Sequence, residues 1–202
     1  GASAGGLEAF QAFLTNLPVD TGMAFVLIQH LDPSHESQLA ELLSRKTTLP
    51  VAEAADGLEV EPGHVYIIPR GTNMAISGNV LKLTPRGNTR SQHLPVDFFF
   101  QSLAEARQQQ AIGVVLSGTG SDGTRGLTEI KGAGGLTFAQ DQKSAKYGGM
   151  PQSAVDNADV DFCVPIAEMG SLLGELVSQP HGRTKPAPAC GPPRCGCGSA
   201  RG

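Results

Sequence analysis

Apolar residues along the chain alternate between helical spacing and short continuous runs. Near the start they fall three or four apart, at Leu7, Phe10, Phe13, Leu14 and Leu17. That spacing predicts a helix with one apolar face, which Pro18 ends. Residues 23–29 (MAFVLIQ) and 111–117 (AIGVVLS) are instead unbroken apolar runs, which are typical of strands buried on both faces.

The same two patterns predict the remaining elements. Gly78-Asn79 lies between the apolar stretches MAIS and VLKLT, which predicts a hairpin. Asp32-Pro33 is a helix start signal, and Leu39, Leu42 and Leu43 would line the helix that follows. Further strands are predicted at 64–69, 134–141 and 161–165, and further helices at 95–109, 124–134, from Pro151 onward and at 166–179.

Alternation of buried strands with helices predicts an α/β fold. We expect a doubly wound, mostly parallel sheet with helices on both faces and an antiparallel hairpin at one edge. We assign this domain to residues 1–179. Residues 180–202 contain no Leu, Ile, Val or aromatic residue, so we predict a disordered Pro-, Gly- and Cys-rich tail there.

Charge and composition exclude several classes of protein. Four of the 15 Lys and Arg residues lie in 180–202, so residues 1–179 carry 11 basic against 19 acidic residues. An acidic body of this kind is not expected to bind nucleic acid or an anionic membrane. No apolar run reaches the roughly 20 residues of a membrane span, and no secretory signal is present. With Cys163 as the single cysteine of the body, we expect a cytoplasmic protein without a disulfide framework.

The tail offers one alternative to disorder. Cys190, Cys195 and Cys197, with His181 nearby, could bind a metal. Their spacing lacks the paired C-x2-C arrangement of zinc ribbons, so no metal site and no cofactor is predicted.

Three residues with complementary chemistry lie at predicted strand ends. Ser3 stands in the Gly-rich turn GASAGG, His30 follows the strand MAFVLIQ, and Asp122 follows the strand AIGVVLS. A parallel sheet brings such positions to one edge. A serine hydroxyl becomes a nucleophile when an imidazole takes its proton and a carboxylate orients that imidazole. Taken singly, Ser3 and Asp122 could each cap a helix, and His30 could bond a carbonyl.

Two short motifs compete for the same residues. GASAG fits the G-x-S-x-G turn of α/β-hydrolases, although the order Ser, His, Asp along this chain differs from theirs. GTGSDG at 118–123 fits G-x-G-x-x-G, follows a strand and opens a helix, with Asp141 at the end of the next strand. The alternative hypothesis is therefore a dinucleotide-binding module that uses the Gly118–Gly123 loop.

Five stretches together resemble one family. In the order GASAGG, VLIQHLDP, EAADGLEVEPGHVYIIP, LSGTGSDGTRG and YGGMP, the chain is similar to the catalytic domain of CheB-type protein-glutamate methylesterases. The resemblance implies a doubly wound fold and a serine hydrolase that demethylates glutamate methyl esters on cytoplasmic chemoreceptor helices. Some members also deamidate receptor glutamines. It implies that Ser3 is the nucleophile, His30 the base and Asp122 the carboxylate that orients the histidine.

The sequence also departs from the family. Many members have Met where this chain has Thr119. Thr119, and Ala4 at the start of the first helix, are the candidates for binding the oxyanion or positioning the substrate. Nothing resembles an upstream receiver domain; the sequence looks closer to members fused to a methyltransferase and sensor modules. We expect a strand to precede GASAGG, and without it the rigidity of the Ser3 turn is in question. A catalytically inactive receptor-binding domain stays open as a third hypothesis.

Overall fold

Predicted helices and strands appear in the expected order. The computed structural model describes residues 1–18, 20–30, 39–87 and 93–178. The helices are α1 (Gly6–Thr15), α2 (Leu39–Ser44), α3 (Pro95–Arg107), α4 (Thr124–Gly132), α5 (Gly149–Asn157) and α6 (Ile166–Ser178). The strands are β1 (Phe25–Leu27), β2 (Val51–Glu53), β3 (Val65–Ile67), β4 (Thr72–Ser77), β5 (Val80–Pro85), β6 (Ile112–Val115), β7 (Leu136–Gln140) and β8 (Phe162–Val164). The predicted helix start at Asp32-Pro33 and the tail lie outside the described residues.

The strands form two parallel sheets and a separate hairpin. One sheet has the order β1-β3-β2 and the other β6-β7-β8, and every pairing in them is parallel. The β4–β5 hairpin is a two-stranded antiparallel sheet of its own. β2 was not predicted, because its three residues are mostly exposed and carry no apolar run.

Residues 1–3 connect the two parallel sheets. The Ala2 N–H donates to Ile28 O beyond β1, at 3.0 Å, and the Leu116 N–H beyond β6 donates to Gly1 O at 2.9 Å. Ala2 also forms a parallel bridge with Gln29. The first residues of the chain therefore lie between β1 and β6, in the middle of a six-strand arrangement.

Helices cover both faces of this arrangement, as the doubly wound prediction requires. On one face, α1, α2 and α6 pack in a cluster that includes Phe10, Leu43 and Leu173. On the other, α3, α4, α5 and the hairpin pack in a second cluster, which includes Phe100 and Met150. Among the described residues, no helix combines the length and the apolar character needed to cross a bilayer.

Candidate active site

Ser3 lies on a tight turn between the sheet and α1. Its N–H donates to Ser117 O at 3.0 Å, and its carbonyl accepts the Gly6 N–H at 2.9 Å. With the Ala2 N–H bonded to Ile28 O, the backbone around Ser3 is held from both neighbouring strand ends. The small residues at this point allow strand, turn and helix to follow within a few positions.

Gly5 is required by this turn for two reasons. Its φ of 70° lies in the left-handed region, where residues with a side chain are strained. A Cβ at Gly5 would also stand 2.9 Å from the Ser117 Oγ. Ser117 uses that hydroxyl to donate to Ala4 O at 2.9 Å and to accept the Tyr147 N–H at 3.0 Å. Gly5 therefore leaves room for a buried hydroxyl that supports the turn.

His30 links the other two predicted residues. The Ser3 Oγ lies 3.3 Å from the His30 Nδ1, and the His30 Nε2 lies 2.6 Å from the Asp122 Oδ2. The imidazole is 32% exposed and Asp122 only 1%. The structure thus brings together Ser3, His30 and Asp122, which come from three separate parts of the chain.

The hydrogen bonds define which ring nitrogen carries the proton. An ionised carboxylate only accepts, so the His30 Nε2 donates to Asp122. The Nδ1 is then left as an acceptor directed at the Ser3 hydroxyl. A serine facing an unprotonated imidazole nitrogen is the arrangement that nucleophilic catalysis requires. The 3.3 Å separation is within the range seen before a substrate tightens such contacts.

Asp122 is held by the start of α3. Its Oδ2 accepts the Val96 N–H at 3.0 Å, and its Oδ1 accepts the Asp97 N–H at 2.9 Å. These are two of the N–H groups that a helix leaves unpaired at its first turn. The helix end stabilises the negative charge and fixes the plane of the carboxylate.

The simpler explanations for these residues do not match the contacts. The N-cap of α1 is Gly5 and that of α4 is Gly123, and neither Ser3 nor Asp122 occupies a cap position. Ser3 and Asp122 therefore do not cap the helices that follow them.

The dinucleotide-binding hypothesis is not supported by the Gly118–Gly123 loop. A pyrophosphate would need free N–H groups at the start of α4. Here the Gly123 and Gly126 N–H groups both donate to the Asp97 Oδ1, at 3.0 and 2.7 Å. A carboxylate of the chain itself therefore occupies the place of the anion.

Ala4 follows Ser3 in the chain, and Thr119 follows Gly118 in a neighbouring loop. The Ala4 carbonyl accepts the Ser117 hydroxyl. A Cβ at Gly118 would come 3.1 Å from the Ser3 Cβ, so Gly118 lies against the nucleophile. Thr119 is the residue that follows Gly118, and it is exposed. The role of either residue in binding an oxyanion stays a prediction.

Sequence reasoning missed three residues of this site. Asp97 and Ser117 act through long-range bonds to backbone groups, which no local pattern indicates. His93, which precedes α3, lies with its ring centre 6.3 Å from that of His30. Burial, and then the charge of Arg86, lower the pKa of His93, so a neutral second imidazole stands beside the first.

Metal binding has no support within the part of the chain that the structure describes. No group of three or more His, Cys, Asp or Glu residues is placed there to hold an ion. The cysteines of the tail lie outside the described residues.

Known proteins resemble this chain over the whole α/β domain. The CheB methylesterase family matches residues 1–173. A protein-glutamate methylesterase/protein-glutamine glutaminase of Photorhabdus laumondii is 39% identical over 88% of the chain, and one of Geobacter metallireducens is 35% identical over 89%. The chain spans about half the length of these curated relatives, 52% and 50%.

Solved structures agree with this relationship. The catalytic domain of the Thermotoga maritima CheB methylesterase is 32% identical, with a TM-score of 0.78. The match covers 87% of this chain and 95% of that domain. A family match over residues 1–173, together with this fold, shows that the chain belongs to the CheB methylesterase family.

Proposed function

We propose that residues 1–179 form a serine hydrolase that demethylates glutamate methyl esters on chemoreceptor helices. The observation that carries the proposal is the bonding of His30 to both Ser3 and Asp122. The names of the relatives from Photorhabdus and Geobacter supply the substrate class. No cofactor is needed for this reaction.

The geometry defines the roles in the first half-reaction. The Ser3 Oγ attacks the ester carbonyl while the His30 Nδ1 takes its proton. Asp122 stabilises the imidazolium that forms. The oxyanion of the tetrahedral intermediate is bound by backbone N–H groups, for which Ala4 and Thr119 are the candidates. Collapse of the intermediate transfers the His30 proton to methoxide, and methanol leaves.

The second half-reaction restores the enzyme. Water attacks the acyl group on Ser3, and His30 again takes the proton and then returns it to the serine. The products are the free glutamate carboxylate and the original hydroxyl. A glutamine amide would follow the same course with ammonia as the leaving group, which matches the second activity in the relatives' names.

Partners and setting follow from the same assignment. We propose a methylated chemoreceptor or receptor-like protein as the substrate, in the cytoplasm, with neither nucleic acid nor membrane insertion involved. An uncharacterized 104.1 kDa protein of Rhodobacter capsulatus is 40% identical over 71% of the chain, which covers only 15% of that protein. A relative of that size supports the idea that this domain also occurs beside other modules, such as a methyltransferase and sensors, on one polypeptide.

The test is methanol release from a receptor fragment carrying labelled methyl esters. Ser3→Ala should abolish release while circular dichroism shows a folded protein. Ser44→Ala is the matched control, because Ser44 is exposed on α2 and its hydroxyl donates to Glu41 O of the same helix. A folded Ser3→Ala protein with the parent rate would exclude the nucleophile assignment. Receptor binding by a parent protein that releases no methanol would favour the inactive binding domain.

A further inference from the structure

Two aspartates join the N-terminal ends of α3 and α4 reciprocally. Asp122, just before α4, accepts the Val96 and Asp97 N–H groups of α3. Asp97, in the first turn of α3, accepts the Gly123 and Gly126 N–H groups of α4 at 3.0 and 2.7 Å. Asp122 therefore binds the start of α3, which contains Asp97, and Asp97 binds the start of α4, which follows Asp122.

Helices α3 and α4 pack so closely at their N-terminal ends that only glycine fits at two positions of the contact. A Cβ at Gly126 would stand 2.4 Å from the Phe100 Cβ of α3. A Cβ at Gly123 would stand 2.8 Å from a methyl group of Val96. The two glycines bring α4 close enough for the short Asp97 side chain to reach its backbone.

Breaking the bonds between Asp97 and the start of α4 would move the Asp122 carboxylate. Gly123 directly follows Asp122, so holding the Gly123 N–H fixes one end of the loop that carries the acid. Val96 and Asp97 fix the carboxylate itself. The 2.6 Å bond to the His30 Nε2 then depends on the relative position of the two helices.

We propose that Asp97 is a positioning residue for ester hydrolysis: its carboxylate holds the start of α4 so that Asp122 stays aligned with His30. This proposal rests on the hydrolase function proposed above. Asp97 touches neither substrate nor nucleophile in this scheme and acts through Asp122.

The electrostatic environment of Asp97 also supports a functional role, because an ionised carboxylate is unfavourable at this position. Burial raises the pKa of Asp97, and the Asp122 charge raises it further against the opposing bond from Gly126. A second carboxylate beside the catalytic one is thus unfavourable electrostatically. The hydrogen bonds from Gly126 and Gly123 compensate, together with the charge of Arg125, and these hydrogen bonds are the ones that hold the loop.

Two substitutions separate the hydrogen bonds from the charge. Asp97→Asn keeps an Oδ1 acceptor for Gly123 and Gly126 but removes the charge. Asp97→Ala removes both. We expect Asp97→Ala to lower kcat for methanol release about 100-fold, as for a misplacement near 1 Å, with little change in KM. Asp97→Asn should restore most of the parent kcat.

Asp161→Ala is the matched control for simple loss of stability. The Asp161 side chain is 1% exposed, which makes it more buried than the half-buried Asp97, and it pairs with Lys131. Like Asp97, it accepts a backbone N–H, that of Thr137, at 3.1 Å. It lies at the opposite edge of the sheet, where β7 and β8 begin. Its loss should lower the free energy of unfolding while kcat per folded molecule stays at the parent value.

A spectroscopic measurement tests the alignment without any substrate. The proton on the His30 Nε2, bonded to Asp122, should give a low-field imidazole resonance in the parent and in Asp97→Asn. Asp97→Ala should shift or broaden it. If the parent shows the resonance and its Asp97 dependence but releases no methanol, the positioning role stands and the proposed substrate fails.

Three results would overturn the positioning role. The first is a folded Asp97→Ala protein with parent kcat and an unchanged resonance. The second is a loss in Asp97→Asn as large as in Asp97→Ala. The third is an equal loss of kcat in Asp161→Ala. If Asp97→Ala does not fold, Asp97→Ser keeps a polar first-turn residue with a shorter reach, and an intermediate kcat is expected.

Discussion

The Ser3 turn and the Asp122 loop are both Gly-rich connections from the sheet to a helix, but they are held in different ways. The Ser3 turn is fixed through its backbone, by main-chain bonds to the strand ends at Ile28 and Ser117 and by the Ser117 hydroxyl on Ala4 O. Asp122 is fixed through its side chain, which accepts two N–H groups of α3 in addition to the His30 Nε2. The carboxylate is buried, whereas His30 is 32% exposed.

The difference matches what each residue has to do. A nucleophile must be reachable, so its hydroxyl cannot be surrounded by donors, and the backbone beneath it carries the constraint. An orienting carboxylate never meets the substrate and can be enclosed on all sides. Burying Asp122 while Ser3 stays partly exposed allows a large protein substrate to approach the nucleophile.

The largest expected effect comes from removing either partner of the Ser3–His30 pair. By analogy with protease triads, Ser3→Ala and His30→Ala should each lower kcat by up to roughly 10⁶, and Asp122→Asn by roughly 10⁴. Ester hydrolysis is chemically easier, so the factors should be smaller here while the ranking remains. The measurement is the single-turnover rate of methanol release.

The double variant sharpens this result. Ser3→Ala/His30→Ala should be no slower than either single variant, because neither residue works without the other. Losses that multiply in the double variant would show that the two residues act independently.

The next largest effect is expected from filling the space between β1 and β6 that lies behind Gly1. An apolar cavity of about 710 Å³ lies behind Gly1, lined from one sheet face by residues that include Phe10 and Phe13, and from the other by Phe99 and Phe100. An extended segment of about six native residues ahead of Gly1 would pair with both strand edges and fill it. We expect a gain of about 3 kcal/mol in the free energy of unfolding after chain entropy is subtracted.

Urea denaturation and methanol release should be measured on the same extended protein. Stability and kcat should rise together, since the segment fixes the Ser3 turn from behind. A six-residue Gly/Ser extension is the control and should change neither. Unchanged values for the native extension would mean that Ser117 and Ile28 alone hold the turn.

Ser117→Ala tests the support of the turn by a side chain. It removes the bond to Ala4 O and leaves the Tyr147 N–H without its acceptor. We expect a loss of about 2 kcal/mol in the free energy of unfolding, and a lower kcat. Ser102→Ala is the control: its hydroxyl also makes two backbone bonds, but beside the hairpin, so kcat should not change. Equal kcat in the two variants would argue against a role for Ser117 in the Ser3 turn.

The smallest effect concerns pH and stability. Burial raises the pKa of Asp97 above its ordinary 3.8, so the folded protein binds this proton more tightly than the unfolded chain. Its contribution to the free energy of unfolding is fully present below pH 3.8 and is lost as pH rises through the folded-state pKa.

The unfolding free energy of the parent minus that of Asp97→Asn should therefore fall as pH rises from 3.8. Urea denaturation of both proteins at several pH values gives this difference, in which the other titrating groups cancel. A difference that grows with pH would show that the Asp97 pKa is lowered instead.

Local patterns in the sequence were sufficient to predict every described α-helix and strand except β2, and to place Ser3, His30 and Asp122 at strand ends. The runs at 23–29 and 111–117 predicted β1 and β6, and residues at the ends of parallel strands meet at one edge whatever the details of packing. Gly78-Asn79 predicted the hairpin because the turn chemistry is local. The meeting of Ser3, His30 and Asp122 therefore followed from topology.

The supporting bonds could not be predicted in the same way. Asp97 has the pattern of an ordinary acidic residue in a first helical turn, and Ser117 that of a strand-end serine. Their partners lie 26 to 113 residues away and are backbone groups, which have no sequence identity. β2 was missed for a related reason, since its three residues form a strand by pairing with β3 and not through their own pattern.

The main-chain and side-chain bonds around the Ser3 turn also determine when activity arises during folding. The Ser117–Ala4 bond joins residues 113 apart, and the His30–Asp122 bond joins residues 92 apart. Contacts of such separation are slow to form, because the entropy of closing a long loop is lost before the contact stabilises anything. Helices and the β4–β5 hairpin should form first, and the serine should gain its base and its acid only as the two sheets join. A growing polypeptide would therefore carry an unreactive Ser3 until the residues that follow β6 have been synthesised.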